Sequence, residues 1–226
     1  LERARDDGTG LAVFGANIGY WQIRVEPSAV DSARARVLFC SKDYTRDSLF
    51  NTAADRDLTV RFRNLHPRRP EVALLGVMTA RGEESVESDF TPVSDARSSW
   101  VYRGTRIAHG ATQALPGLVG YETDRAFVGD SLYASWSPPG LQVIARSPLR
   151  FRDGSTAVSE AATYAAPSGA VVFAAGTVQW SWGLDDWGTP DLRPPRRNQD
   201  AERITLNVIG AIGGRGVSGP SSQSPR

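Results

Sequence analysis

With 226 residues, 40% of them apolar and 23% charged, the chain is long enough to bury a core and has the make-up of an ordinary globular protein. Its formal net charge of +1 excludes the strong electrostatic pull of nucleic-acid binders and of proteins held on anionic membranes. Cys40 is the only cysteine, so an intrachain disulfide and a thiolate metal cluster are both excluded, and no stretch is apolar for long enough to span a bilayer. Lys42 is the only lysine, an arginine bias that reads as genomic composition rather than as a phosphate-binding surface.

The chain opens inside what reads as a helix, Leu1-Glu2-Arg3-Ala4-Arg5, without an initiator methionine. An N-terminally truncated domain is therefore expected, and its compartment, cytoplasmic or exported, stays open. Gly8 and Gly10 suit the helix stop. Residues 11–14 form a short apolar run leading into Gly15-Ala16-Asn17, the grammar of a parallel strand covered on both faces. Further strands are expected at 20–25, where Trp21, Ile23 and Val25 alternate with Gln22 and Arg24, at 35–40 and at 58–62. Pro70 suits the first turn of a short helix over 71–75. The acidic, serine-rich stretch 82–97 reads as a surface loop, 100–102 as a short strand, and the loop after it carries His109.

Strands are expected again at 118–125, 141–145, 161–165 and, best buried of all, 170–175 between Gly169 and Gly176. A turn or short helix over 180–187 and a linker at 190–195 lead to a helix over 200–209, with Ile204, Val208 and also Leu206 inward. The organisation is one domain over 1–212 and a Gly, Ser and Pro tail over 213–226 that is expected to be disordered.

Several familiar motifs fail. Gly214-x-Gly216-x-x-Gly219 matches the dinucleotide pattern in letters, but no helix follows on which a pyrophosphate could sit. There is no phosphate loop, no nucleophile elbow and no His-Glu-x-x-His helix. Two distant histidines, His66 and His109, argue against a zinc site or a Ser-His-Asp triad. Cys40 ends an apolar strand and reads as a structural thiol.

Five segments occur in the order and spacing of one family: LAVFGANIGYWQIRVE at 11–26, RPEVALLGVM at 69–78, WVYRGT at 100–105, PGLVGYETDR at 116–125 and SGAVVFAAGTVQWSWGLD at 168–185. Together they resemble the C-terminal region of the N,N-dimethylformamidase large-subunit family. The resemblance implies an open α/β fold like that of class I glutamine amidotransferases, with a mostly parallel sheet and β-rich insertions. It also implies amide hydrolysis at a mononuclear iron held by two tyrosines and a glutamate. One tyrosine is expected upstream of Leu1; the second falls on Tyr20 and the glutamate on Glu122. The formamidase has a histidine two positions before that glutamate, where this chain has Gly120.

Phenolate and carboxylate are hard oxygen donors suited to ferric iron, and ligands of open α/β sheets gather at the carboxyl ends of strands. Read without the resemblance, the same residues have plainer roles. Tyr20 could cover the sheet edge beside Trp21, and Glu122 could pair with Arg125, as could Asp124. Asn17 could orient a substrate carbonyl or close an Asx-turn. Gln179 could support a metal site, with Thr177 capping the turn that follows. Trp180, Trp182 and Trp187 could line a pocket for an N-alkyl group or a sugar, or fill the core. His109 could shuttle protons or sit solvated in its loop. The leading expectation is an iron-dependent hydrolase acting on the C–N bond of a small carboxamide, with a second subunit or a further copy as partner and neither nucleic acid nor membrane. The rivals are a non-catalytic carbohydrate-binding domain of a larger exported protein, and a hydrolase of the same fold without iron.

Overall fold

The structure is a computed structural model that describes residues 1–32, 34–81, 84–97, 99–110 and 114–213. In chain order its strands are β1 (Leu11–Val13), β2 (Arg24–Pro27), β3 (Ala35–Phe39), β4 (Met78–Thr79), β5 (Ser85–Phe90), β6 (Leu115–Tyr121), β7 (Asp124–Arg125), β8 (Gln142–Arg150), β9 (Thr156–Ala165) and β10 (Val171–Ala174). The helices are α1 (Glu2–Asp6), α2 (Val72–Leu75) and α3 (Gln199–Ile212). Among the described residues none of them is long and apolar enough to cross a membrane.

The apolar run of β10 is buried on both faces and organises a four-stranded sheet of order β1-β10-β9-β8. β1 lies parallel to β10, with Ala12 opposite Phe173, while β9 runs antiparallel to both β10 and β8. On one face α3 sends Ile204 and Val208 against Phe173 and Trp180. On the other, Leu75 of α2 packs with Ala126, Ala162 and Ala174. Asn198 starts α3 by accepting from the N–H groups of Asp200 and Ala201, which leaves the amphipathic periodicity to fix its inward face.

The sheet is mixed, not mostly parallel, and the connections explain why. β8 returns as β9 through a turn in which Asp153 accepts from the Ser155 N–H and Gly154 has φ +84°. β9 returns as β10 through residues 166–170, closed by a 2.8 Å bond from the Ala166 N–H to the Ala170 carbonyl. Connections this short can only reverse the chain, because a parallel crossover needs a dozen residues or more. Only β1, arriving from far away in sequence, pairs in parallel.

Other expectations are corrected for equally local reasons. The stretch expected as a surface loop contains β5, which pairs with β6 and buries Phe90, so its polar residues lie on a paired strand with one solvated side. Residues 100–102 form a single helical turn whose Tyr102 hydroxyl donates to the Ile144 carbonyl at 2.6 Å. Residues 58–62 form no ladder. A bridge joins Trp21 to Arg61, with bonds from Gln22 N–H to the Val60 carbonyl and from Phe62 N–H to the Tyr20 carbonyl. Leu206 is 58% exposed on the outer face of α3. Of the expected tail, 214–226 lies outside the described residues.

The β2–β3 hairpin is tied down by Asp47, which is only 4% exposed. Its Oδ2 accepts from Arg24 Nη1 at 2.8 Å and from the N–H and hydroxyl of Thr59 at 2.9 Å each, and its Oδ1 accepts from the Leu49 N–H. The Arg24 guanidinium, helped by those donors and opposed by burial, holds the Asp47 carboxyl well below the usual carboxylate range. A depressed folded-state pKa contributes stability that is present above the unfolded value of about 4 and is lost as pH falls toward the folded one. Asp47→Asn is therefore expected to cost about 2 kcal/mol in urea unfolding at pH 7. The gap between the two proteins should narrow as pH falls below about 4 and keep narrowing until the folded-state carboxyl itself protonates; a gap that does not shrink at all between pH 7 and about pH 2 would contradict this account.

Candidate functional site

Because β1 and β10 are parallel, the loops that leave their carboxyl ends emerge side by side. The loop after β1 carries Asn17 at φ +57°, a left-handed conformation that asparagine tolerates better than most residues. Its N–H donates to Asp124 Oδ1 at 3.0 Å. The turn after β10 begins at Gly176, where a Cβ would run into the Glu160 carbonyl oxygen and where φ is +68°, so only glycine fits without rearrangement. Residues 122–124 lie against that turn. Asp124 N–H donates to the Gly176 carbonyl, Thr123 bridges Thr177, and Val178 N–H donates to the Glu122 carbonyl at 3.3 Å. Asn17, Glu122, Asp124 and the 176–179 turn thus share one edge of the sheet.

Tyr20 reaches this edge through Arg63. The Arg63 guanidinium carbon lies 5.2 Å from the centre of the Tyr20 ring, and Arg61 lies 4.9 Å from it. Arg63 Nε and Nη2 fork onto the Glu71 carboxylate at 3.1 and 3.0 Å, and Nη1 donates to the Thr79 carbonyl at 3.0 Å. Thr79 is in turn the register partner of Asp124 across β4 and β7. Asp124 is 2% exposed, and burial pushes its carboxyl up to about 7. The Asn17 N–H and the Arg63 charge oppose that rise, while Glu71 and Glu122 add to it. Arg63, Glu71, Asp124 and Glu122 therefore form one charge cluster, with Tyr20 on its rim.

Neither the Tyr20 hydroxyl nor the Glu122 carboxylate enters a hydrogen bond among the described residues. Two buried carbonyl oxygens, Asn17 Oδ1 and Gln179 Oε1, also lack a partner. Besides the Glu122 carboxylate and the Tyr20 hydroxyl, this edge therefore carries two neutral oxygen acceptors, Asn17 Oδ1 and Gln179 Oε1. No three His, Cys, Asp or Glu side chains come together as a metal site among the described residues. A cavity of about 560 Å³ borders the cluster, walled by Gly19 and the apolar Leu1, Phe62, Pro70, Leu74 and Leu75 together with the charged Glu2, Arg3, Arg69 and Glu71.

Arg125 turns away from the cluster, pairing with Asp130 at 3.4 Å and stacking on Phe127 at 3.9 Å; it partners neither Asp124 nor Glu122. Asn17 closes no Asx-turn, since its side-chain oxygen is unbonded. Thr177 does cap the following turn, accepting from the Gln179 N–H at 3.1 Å and also from the Gly120 N–H at 3.3 Å. Trp180 is wholly enclosed, with its Nε1 donating to the Thr205 hydroxyl, so it presents no surface to a ligand. Trp182 lies under Arg193 and Trp187 is 79% exposed, so the three tryptophans line no common pocket. His109 is exposed at the end of a turn near α3 and makes no described contact with the cluster. Cys40 is free and half-buried.

Sequence reading missed Arg63, Glu71 and the burial of Asp124. The available signal was Glu71 itself, a lone acid in the run Pro70-Glu71-Val72-Ala73-Leu74-Leu75, which needs a partner if its neighbours are core.

The space beside Gly120 is taken. A Cβ there would lie 2.5 Å from Gln179 Oε1 and 3.1 Å from the Glu87 Cα, so the Gln179 amide fills the place of a side chain and has to move before one can enter. Gly120→Ala is expected to cost about 1–3 kcal/mol by overpacking. Adding Gln179→Ala should recover part of that loss in denaturant unfolding. A neutral Gly120→Ala, or additive effects of the two substitutions, would mean that the amide lies elsewhere.

Among curated proteins, none matches the chain. A family model described as N,N-dimethylformamidase beta subunit-like, C-terminal, matches residues 1–197. This region contains every element that builds the site, and the chain belongs to the N,N-dimethylformamidase beta subunit-like family, in its C-terminal region.

Proposed function

We propose that the chain carries part of the active site of an iron-dependent amidohydrolase acting on the C–N bond of a small carboxamide. The observation that carries this reading is that Tyr20 and Glu122, distant in sequence, attach to one charge cluster at the carboxyl ends of two parallel strands. Family membership supports a relation to hydrolases. The amidotransferase-like layout belongs to the same reading, with β1, β10 and α3 as its recognisable part.

The Tyr20 phenol oxygen and the Glu122 carboxylate would hold the metal, with the remaining tyrosine contributed from outside these residues. When bound, a ferric ion supplies Lewis acidity toward an amide carbonyl and acidifies water. Gln179 Oε1 and Asn17 Oδ1, both buried acceptors without donors, are placed to accept from an amide N–H or a water. The cavity beside Gly19 and Glu71 would take the substituent of the amide and keep water from it. The beta subunit-like family also makes a partner subunit part of this proposal.

The test is metal analysis with visible absorption on the natural gene product, because phenolate-to-iron charge transfer is coloured. Iron and colour are expected in the unvaried protein. Tyr20→Phe and Glu122→Gln should each lower iron affinity by more than the about 10–100-fold typical of outer-shell losses, without unfolding the chain. Active protein that is colourless and free of iron would end the proposal, and folded variants that keep the iron would remove these two residues from it.

A further inference from the structure

The Tyr20 side chain lies in a loop and its hydroxyl is bonded to no described group, so packing alone fixes its ring. The Trp21 ring, edge-on at 5.8 Å, and two guanidinium groups supply that packing, and the two cations differ in kind. Arg61 is exposed and reaches only the rings of Tyr20 and Trp21. Arg63 has a side chain only 12% exposed, and it is held by the fork onto Glu71 and the bond to the Thr79 carbonyl. Glu71 sits at the start of α2, and Thr79 pairs with Asp124, two residues from Glu122. One planar group therefore touches the Tyr20 loop, α2 and the strand pair that leads to Glu122.

We propose that Arg63 is a positioning residue of the candidate site, fixing the Tyr20 ring relative to the β4–β7 pair and so to Glu122. The inference rests on the metal-site reading for its purpose, but its geometry stands without it. An ion pair taken out of water is a poor source of stability, since an apolar replacement of similar shape often does as well; what it supplies here is a fixed direction. Lysine would keep the charge and lose the planar fork that reaches Glu71 and Thr79 together.

The experiment uses the natural gene product, labelled with ¹⁵N and with ring-¹³C tyrosine, the Tyr20 signals being assigned by their loss in Tyr20→Phe. In Arg63→Met the Tyr20 ring signals and the Thr79 and Asp124 amide signals should all shift. Arg63→Lys should behave in the same way and carries the test if the methionine variant does not fold. Arg61→Met should shift the Tyr20 ring and leave the Thr79 and Asp124 amides in place. A folded Arg63 variant whose Tyr20 and Asp124 signals are unmoved overturns the inference.

Ferric iron added to the same proteins separates this inference from the functional reading. The Arg63 variants are expected to bind it about 10–100-fold more weakly, with a displaced charge-transfer band. If the unvaried chain takes up no iron while Arg63→Met still moves Tyr20 and Asp124 together, positioning holds and the metal reading loses support. If Arg63 variants bind iron as tightly, with the same band, the positioning inference fails and the metal reading stands.

Discussion

The parallel pairing of β1 with β10 is the constraint on which the rest of the molecule depends. It joins segments about 160 residues apart, with Leu11 opposite Val172 and Val13 opposite Ala174. Its closing bond, from the Ala175 N–H to the Val13 carbonyl at 2.8 Å, fixes where both chains leave the sheet. Every other pairing in that sheet is a local reversal, and a hairpin places the carboxyl ends of its two strands at opposite edges. Only the parallel pair sends two loops out at the same edge, and there Asn17 meets Asp124 and Glu122 meets the 178 turn.

The charges at that edge are not arranged for stability alone. Three acids, Glu71, Asp124 and Glu122, share one closely held cation, Arg63. Asp124 has a single N–H donor and is pushed toward neutrality by burial. The contrast with Asp47 is instructive. That carboxylate is equally buried but receives Arg24 and three further donors, and its charge is strongly favoured. Asp47 is a structural acid whose needs are met, whereas the cluster around Asp124 leaves donors and acceptors unsatisfied. Polar groups left unpaired in a buried site are where a ligand makes its contacts.

At Gly120, where the resemblance implies a histidine, the space beside the backbone is taken by packing. Gln179, 7% exposed, extends over the glycine from the turn that Thr177 caps. An amide brought from β10 thus stands where the resemblance implies an imidazole on β6. Amide and imidazole differ in proton chemistry, since the amide can accept and donate hydrogen bonds but does not titrate near neutral pH.

Much of this was legible in residues alone. The continuous apolar run of β10, the glycines around it, the capped amphipathic α3 and the family segments all carry their meaning locally, because periodicity and turn chemistry act over a few residues. Tyr20 and Glu122 became candidates only through the resemblance to the family, since read alone they have plainer structural roles. The direction of the sheet was misjudged because an apolar strand looks alike in parallel and antiparallel company, and the short 166–170 connection decided it. β5 was hidden by polar residues, since pairing satisfies backbone groups whatever the side chains are. Arg63 and Glu71 carried no motif; their roles follow from a fork 3.0 Å long across eight residues and from a strand register. The sequence by itself determined the buried run of β10, the strand of β1, the capped α3 and the family to which the chain belongs. Only the tertiary structure decided which charges meet, because a buried ion pair is specified by the space between elements and leaves no period along the chain.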